Sequence, residues 1–189
     1  METVEVVYYV ACSVDGFIAT SDGGVEWLSA VEHEGEDFGF AEFFASIDAM
    51  IMGSRTYEKV LEYDDWPYGD TPCWVLSRRR LLPHTRGVTV TDADPIEVLS
   101  EVADRGLHRL WLVGGSRVAS SFLADGRIDE CIVSVIPVLL GHGIPLFNDQ
   151  QGHERLELIG CRQCAGGVVG LRYQVLGEGV PPAASGQRT

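Results

Sequence analysis

The sequence predicts an α/β domain built on a mainly parallel central sheet with an antiparallel C-terminal finish. Three observations carry that reading. Apolar runs of strand length alternate with amphipathic segments of helix length as far as residue 124. Glycine or serine stands at the carboxyl end of several of those strands. After Pro137 the pattern changes, and "RLELIGCRQCAGGVVGLRYQVL" reads as two strands around a Gly-rich turn.

In chain order, strands are expected over Val4–Cys12, Ala49–Met52, Cys73–Leu76, Gly87–Val90, Arg109–Val113 and Ile128–Val135. Helices are expected over Asp37–Ala45, Ser54–Leu61, Pro95–Arg105 and Ser116–Ala124. In the last of these Val118, Phe122 and Leu123 share one face, the side that packs on a sheet. No repeat and no interdomain linker interrupts the pattern, so residues 1–177 read as one domain. The tail over 178–189, "EGVPPAASGQRT", is small, polar and proline-bearing, and is expected to be flexible.

A chain of 189 residues is long enough to bury a substantial core. Its 28 acidic residues against 14 basic ones give a net charge of −14. That balance argues against nucleic acid or an anionic membrane as the main partner, since both need a basic surface. A small anionic ligand needs only a few local donors. The N-terminus lacks the basic start and long apolar core of a signal peptide, and no run is long enough to span a bilayer. Five widely spread cysteines read as reduced thiols, so a cytoplasmic protein is expected. Cys161-x-x-Cys164 has no second pair to complete a metal site. Lys59 is the only lysine, and neither the P-loop motif nor the G-x-G-x-x-G fingerprint is present.

The junctions carry the chemistry. "MIMGSRTYE" passes from strand to helix through Gly53 and Ser54, "CWVLSRRR" ends a strand in Ser77 followed by three arginines, and "LWLVGGSRV" ends in Gly114-Gly115 before Ser116. In open α/β sheets ligands gather at the carboxyl ends of strands. Glycine admits close backbone approach, and a helix start offers unpaired N–H groups to an anion. Two readings stand for each junction, a plain turn or a seat for a phosphorylated ligand. The long loop "SVDGFIATSDGGVEWLS" adds paired glycines and Trp27, and it too reads either as a surface connection or as a functional loop.

Taken together, "VACSVDGFIA", "EWLS", "DFGFAEFFASIDAMIMGSRTYE", "WVLSR", "LWLVGGSRVASSFL" and "IPVLLGHGIPLF" resemble dihydrofolate reductase. They are closer still to its bacterial relatives that share the reductase domain of riboflavin biosynthesis. The resemblance spans roughly residues 4 to 177 and implies a three-layer αβα dihydrofolate reductase-like fold that binds NADPH across its sheet.

By that resemblance Gly114, Gly115, Ser116, Arg117 and Val118 meet the pyrophosphate, and Gly53, Ser54, Arg55 and Thr56 lie on the adenosine side. Ser77 and Arg78 match the contact to the adenosine ribose and its 2′-phosphate. Ala11 and Ile18 match positions flanking the nicotinamide, with Trp27 on the loop that closes over it. The family's acid is a carboxylate in an apolar pocket, and counting back from Gly53 places Asp37 there. Its neighbours Glu34 and Glu36 are the competing candidates, and a plain helix-start role for Asp37 is the competing explanation. Ser134 matches a hydroxyl position that bridges ligand and carboxylate.

The sequence departs from the pattern in three places. Thr71 stands where folate-reducing enzymes carry an arginine, Ser54 replaces an arginine that often reads the 2′-phosphate, and Phe17 replaces a basic residue of the riboflavin-pathway enzymes. The expectation is therefore an NADPH-dependent reductase, with NADH left open, acting on a small pterin-like or pyrimidine-like heteroaromatic. A catalytically inactive ligand-binding protein on the same fold is the alternative. A homodimer through the late strands and "CIVSVIPVLL" is the expected assembly.

Overall fold

A computed structural model describes residues 3–31, 37–63, 65–148 and 153–178. The first strand, β1 (Glu5–Ser13), runs through the middle of the molecule and leads into a short strand, β2 (Phe17–Ala19), and a 3-10 helix over Glu26–Val31. Then follow α1 (Phe40–Ala45), β3 (Ala49–Gly53), α2 (Ser54–Val60), β4 (Cys73–Leu76), β5 (Val88–Thr91) and α3 (Pro95–Asp104). The chain continues through β6 (Arg109–Gly114), α4 (Ser116–Ala124), β7 (Glu130–Ile136), β8 (Ile144–Pro145), β9 (Glu154–Gln163) and β10 (Val169–Glu178).

Eight strands form one sheet in the order β5-β4-β3-β6-β1-β7-β10-β9. The pairings from β5 to β7 are parallel, and β10 and β9 close the sheet antiparallel. The three-layer α/β expectation is met. Alternation along β1 decides the layers, because successive side chains of a strand point to opposite faces. Val6, Tyr8 and Cys12 pack with Val98 and Val102 of α3 and Phe122 of α4. Val7 and Tyr9 pack instead with Phe43 of α1 and Tyr57 of α2. Buried Trp74 satisfies its indole N–H on Glu101 of α3 at 3.0 Å, so the aromatic core costs no orphaned donor there.

Several boundaries differ from the sequence expectation. α1 starts at Phe40 rather than Asp37, because Phe38 and Gly39 both adopt positive φ, 56° and 86°, and turn the chain before the helix begins. The pair β2–β8 is too short for hydrophobic periodicity to reveal. Within "CIVSVIPVLL", β7 lies between β1 and β10 with both edges paired, and Leu139 beyond its end is exposed. The exposed apolar side chains of the late strands are Leu156, Leu158 and Ile159 of β9 and Leu176 of β10. Of the expected tail, Glu178 ends β10 and residues 179–189 lie outside the described residues, as do Glu34 and Glu36. Among the described residues no helix is long and apolar enough to cross a membrane.

Candidate functional site

The strand order brings the three junctions together. β4, β3 and β6 are consecutive in the sheet, so Ser77, Gly53 and Gly114-Gly115 follow one another along its carboxyl edge, with β1 next in line. The β3 and β6 junctions touch. A Cβ on Gly53 would stand 3.1 Å from Val118 Cγ2 and 3.8 Å from the Gly115 nitrogen, so only glycine lets these turns meet without displacement. Gly114 has φ 130°, a region closed to ordinary side chains, and the Gly114–Gly115 peptide is cis. The pairing of β3 with β6 slips by one residue here, so that Met52 lies opposite Gly114.

At the start of α4 the Ser116 side chain is buried, and its hydroxyl has no hydrogen-bond partner. An orphaned buried hydroxyl at a helix N-terminus is a group waiting for an acceptor, and a phosphate oxygen is the acceptor such a place suits. Thr56 reaches the same spot, its Oγ1 lying 3.4 Å from where a Gly115 Cβ would be. The donor set therefore fits a dinucleotide phosphate.

At the third junction the arginine that reaches α2 is Arg79, the neighbour of the Arg78 that register indicates. The Ser77 hydroxyl donates to the Arg79 carbonyl (2.9 Å) and accepts from the Arg79 N–H (3.0 Å), which turns the loop back on itself. Arg79 thereby reaches α2, where its Nη2 donates to Ser54 Oγ at 3.2 Å and to Glu58 Oε2 at 2.7 Å. Arg78, Arg55 and Arg117 are exposed, as is Arg79. Ser54, standing where an arginine is usual, is thus met by an arginine from the neighbouring loop. Among three consecutive arginines no sequence signal marks which one reaches α2.

Beyond β6, Ala11 faces a small apolar cluster containing Trp27, Leu28, Phe38, Val138 and Cys164. The Trp27 indole N–H is buried there without a partner. Ile18 is not in that cluster. It packs with the residues on the α3/α4 face, because β2 turns away from β1 to pair with β8. Asp15 holds that turn: its carboxylate accepts from the Ser13 hydroxyl (2.6 Å) and from the N–H groups of Leu140 (3.1 Å) and Gly141 (2.7 Å). This ties "SVDGF" to "PVLLGHGIPLF" and explains their joint appearance. His142 in that second segment is exposed.

The carboxylate expected in an apolar pocket is found elsewhere in character. Asp37 is exposed, and it accepts from the Gly39 N–H and the Ala41 N–H, both at 2.9 Å. Those two backbone donors, that of Ala41 foremost, hold its pKa below the usual carboxylate value. Asp37 is thus an ionised group at the start of α1, not a protonated one in a dry pocket. Counting residues finds its place in the chain, whereas the turn through Phe38 and Gly39 sets its surroundings.

Asp37 and Ser134 nonetheless both act electrostatically on one group, the Tyr9 phenol, which no motif in the sequence singles out. Ser134 pairs across from Ala11 and so shares its face of the sheet. Tyr9 sits two residues before Ala11 on that same face. Burial raises the Tyr9 pKa, the Ser134 hydroxyl opposes that rise, and Asp37 and Arg162 both act on the phenol electrostatically. The spacing of two from Ala11 was the signal that could have found it.

The comparisons with known proteins bear on the family and the fold. The model of the RibD C-terminal domain family matches residues 4–170. Over 168 residues the chain is 34% identical to the uncharacterized protein YwjB of Bacillus subtilis strain 168, covering 88% of this chain and 95% of that one. It is 27% identical over 158 residues to the riboflavin biosynthesis protein RibD of Mycobacterium tuberculosis H37Rv, covering 76% of this chain but 45% of the other. Among solved structures, a putative riboflavin biosynthesis protein from Shewanella sp. PV-4 superposes with a TM-score of 0.84 at 27% identity, covering 91% of this chain and 99% of that chain. RibD of Acinetobacter baumannii shares the fold at a TM-score of 0.70 and 20% identity, with 92% of this chain and 58% of that one covered.

Proposed function

The chain belongs to the RibD C-terminal domain family and has its reductase-like fold, and from that premise we propose that it is an NADPH-dependent reductase of a small heteroaromatic or related unsaturated compound. One observation carries the reading: phosphate-type junctions end three consecutive strands, β4, β3 and β6, and the next strand, β1, offers Ala11 beside Trp27. Three strand spacings, about 14 Å, separate β4 from β1. That is the span over which an extended dinucleotide separates its two rings.

In this reading the N–H groups at the start of α4, with Gly114, Gly115, Ser116, Arg117 and Val118, hold the pyrophosphate. Gly53, Ser54, Arg55 and Thr56 flank the adenosine half. Ser77 and Arg78 stay near its ribose, and Arg79 joins them as the residue aimed at a 2′-phosphate, where bidentate guanidinium contact is strong. Ala11 and Trp27 bound the nicotinamide end, and Ile18, which packs towards α3 and α4, stands behind the β1–β2 turn rather than against the ring. The bound dinucleotide supplies hydride to a carbon of the substrate. Asp37, ionised, accepts a hydrogen bond from a ring N–H or amino group and orients the heterocycle, and Ser134 bridges to it. The apolar cluster around Trp27 excludes water.

The relatives named as riboflavin biosynthesis proteins support a pyrimidine-like substrate. Phe17 and Thr71 support a substrate without the anionic tail that a basic residue at either position would grip. For a homodimer, the exposed apolar residues of β9 and β10 are the surface we propose, and a monomeric mass at micromolar concentration would refute it. The reductase reading is tested by following NADPH oxidation across a panel of pterins, aminopyrimidines and small carbonyl compounds. A substrate-dependent rate with at least one panel member is expected. NADPH binding without turnover of any of them would favour the inactive binding protein instead.

A further inference from the structure

Resting on the reductase reading, we propose that Tyr9 is a catalytic residue whose phenol donates a hydrogen bond to the substrate heteroatom that gains negative charge as the neighbouring carbon is reduced. Its position carries the inference. Side chains two residues apart on a strand lie about 6.6–6.8 Å apart on one face, so Tyr9 stands one step deeper than Ala11. Across the sheet from Ala11 the row runs through Ser134, then Gly170, then Arg162. Gly170 contributes no side chain, and a Cβ there would approach nothing closer than the Arg162 carbonyl at 3.8 Å. The row therefore leaves room on the sheet between Ser134 and Arg162.

That room opens into a groove of about 480 Å³ lined by Tyr9, Phe38, Glu42, Phe43, Arg162 and Leu171 among others. Arg162 crosses the top of it, with Nη1 3.4 Å from where a Gly39 Cβ would stand. The phenol ring is held by an aromatic cage, with ring centroids 4.4 Å from Phe43, 6.1 Å from Phe40 and 6.4 Å from Trp111. A caged ring fixes where its hydroxyl points, and a donor fixed in advance costs little reorganisation when charge appears on its partner.

The electrostatics separate the roles of the groups gathered there. Asp37 is ionised and has no proton to offer, whereas burial keeps the phenol protonated through the neutral range. The balance is simple. Two electrons and a proton reach carbon as hydride from a reduced nicotinamide dinucleotide, and a proton from water reaches the heteroatom. Tyr9 donates a hydrogen bond throughout and loses no proton.

The test compares the full-length wild type with Tyr9→Phe, which keeps the caged ring and removes only the hydroxyl. Two probes are titrated by calorimetry, 5,6-diaminouracil with its ring carbonyls and 2,4,5,6-tetraaminopyrimidine with amino groups in their place. NADPH affinity is measured on both proteins from its fluorescence. The variant is expected to bind diaminouracil about tenfold more weakly and tetraaminopyrimidine within about twofold of wild type, with NADPH affinity unchanged. Equal affinity of the two proteins for diaminouracil, an equal loss for both probes, or a wild type that binds neither probe would overturn the role of Tyr9 while leaving the cofactor reading standing. A wild type that binds no NADPH would overturn both.

Discussion

Arg79 Nη2 lies 3.2 Å from Ser54 Oγ, which joins the loop after β4 to the first turn of α2. The contact puts a guanidinium beside Ser54, the serine that stands where the family resemblance implies an arginine. The same guanidinium is paired with Glu58, and its side chain remains 58% exposed, so the pair contributes little to stability. Arg79→Ala is therefore expected to unfold at nearly the same denaturant midpoint as wild type. NADPH affinity should fall about tenfold and NADH affinity should not change, since only NADPH carries the 2′-phosphate. Equal losses for the two coenzymes, read by fluorescence titration, would assign Arg79 to another part of the ligand.

Gly53 and Val118 define how closely the two helix-bearing junctions meet. Gly53→Val adds a branched side chain where even a Cβ would come within 3.1 Å of Val118 Cγ2. A loss of about 1–3 kcal/mol is expected in chemical denaturation. Val118→Ala in the same chain should recover much of it, because the clash is between those two side chains. Strictly additive effects would mean that the junctions do not meet at these two residues.

Gly143 is the corresponding contact in the loop region. A Cβ there would stand 2.2 Å from the Ala19 carbonyl oxygen, a backbone atom that has no rotamer to yield. Gly143→Ala is expected to separate β2 from β8 and to lower stability by about 1–3 kcal/mol. Hydrogen exchange at the Leu146 amide, which donates to the Gly16 carbonyl at 2.9 Å, should quicken in the variant. An unaltered exchange rate would contradict the close approach.

Asp37 gives a pH dependence with a definite sign. Its folded pKa lies below the unfolded value of about 3.9, through the N–H groups of Ala41 and Gly39. A carboxylate lowered in this way stabilises the fold above the unfolded pKa, and that contribution is lost as pH falls through the folded value. Asp37→Ala should melt below wild type at pH 7, and the two midpoints should converge below about pH 4. A gap that widens in acid would instead indicate a carboxyl whose pKa is raised by burial, as in the apolar pocket expected from the sequence.

Much of the fold was legible because its periodicities are local. The runs over Ala49–Met52, Cys73–Leu76 and Ser116–Ala124 match β3, β4 and α4 to within a residue. The adjacency of the junctions was not legible, since the order β4-β3-β6-β1 depends on pairings between distant segments. Three arginines in a row look alike until Ser77 turns the loop and directs Arg79 onto Ser54. Counting from Gly53 found Asp37, yet two successive positive φ values before α1 determined that it caps a turn in the open. Tyr9 escaped notice because an apolar run hides a phenol whose hydroxyl finds its neighbours only once β7 lies alongside.

Every role proposed for the site depends on the carboxyl ends of β4, β3, β6 and β1 together holding a nicotinamide dinucleotide phosphate. Titrating NADPH into the protein while following its fluorescence puts that dependence to the test. Saturable binding at one site per chain is expected, weakened in Arg79→Ala for NADPH but not for NADH. Absence of saturable binding at millimolar NADPH would contradict it.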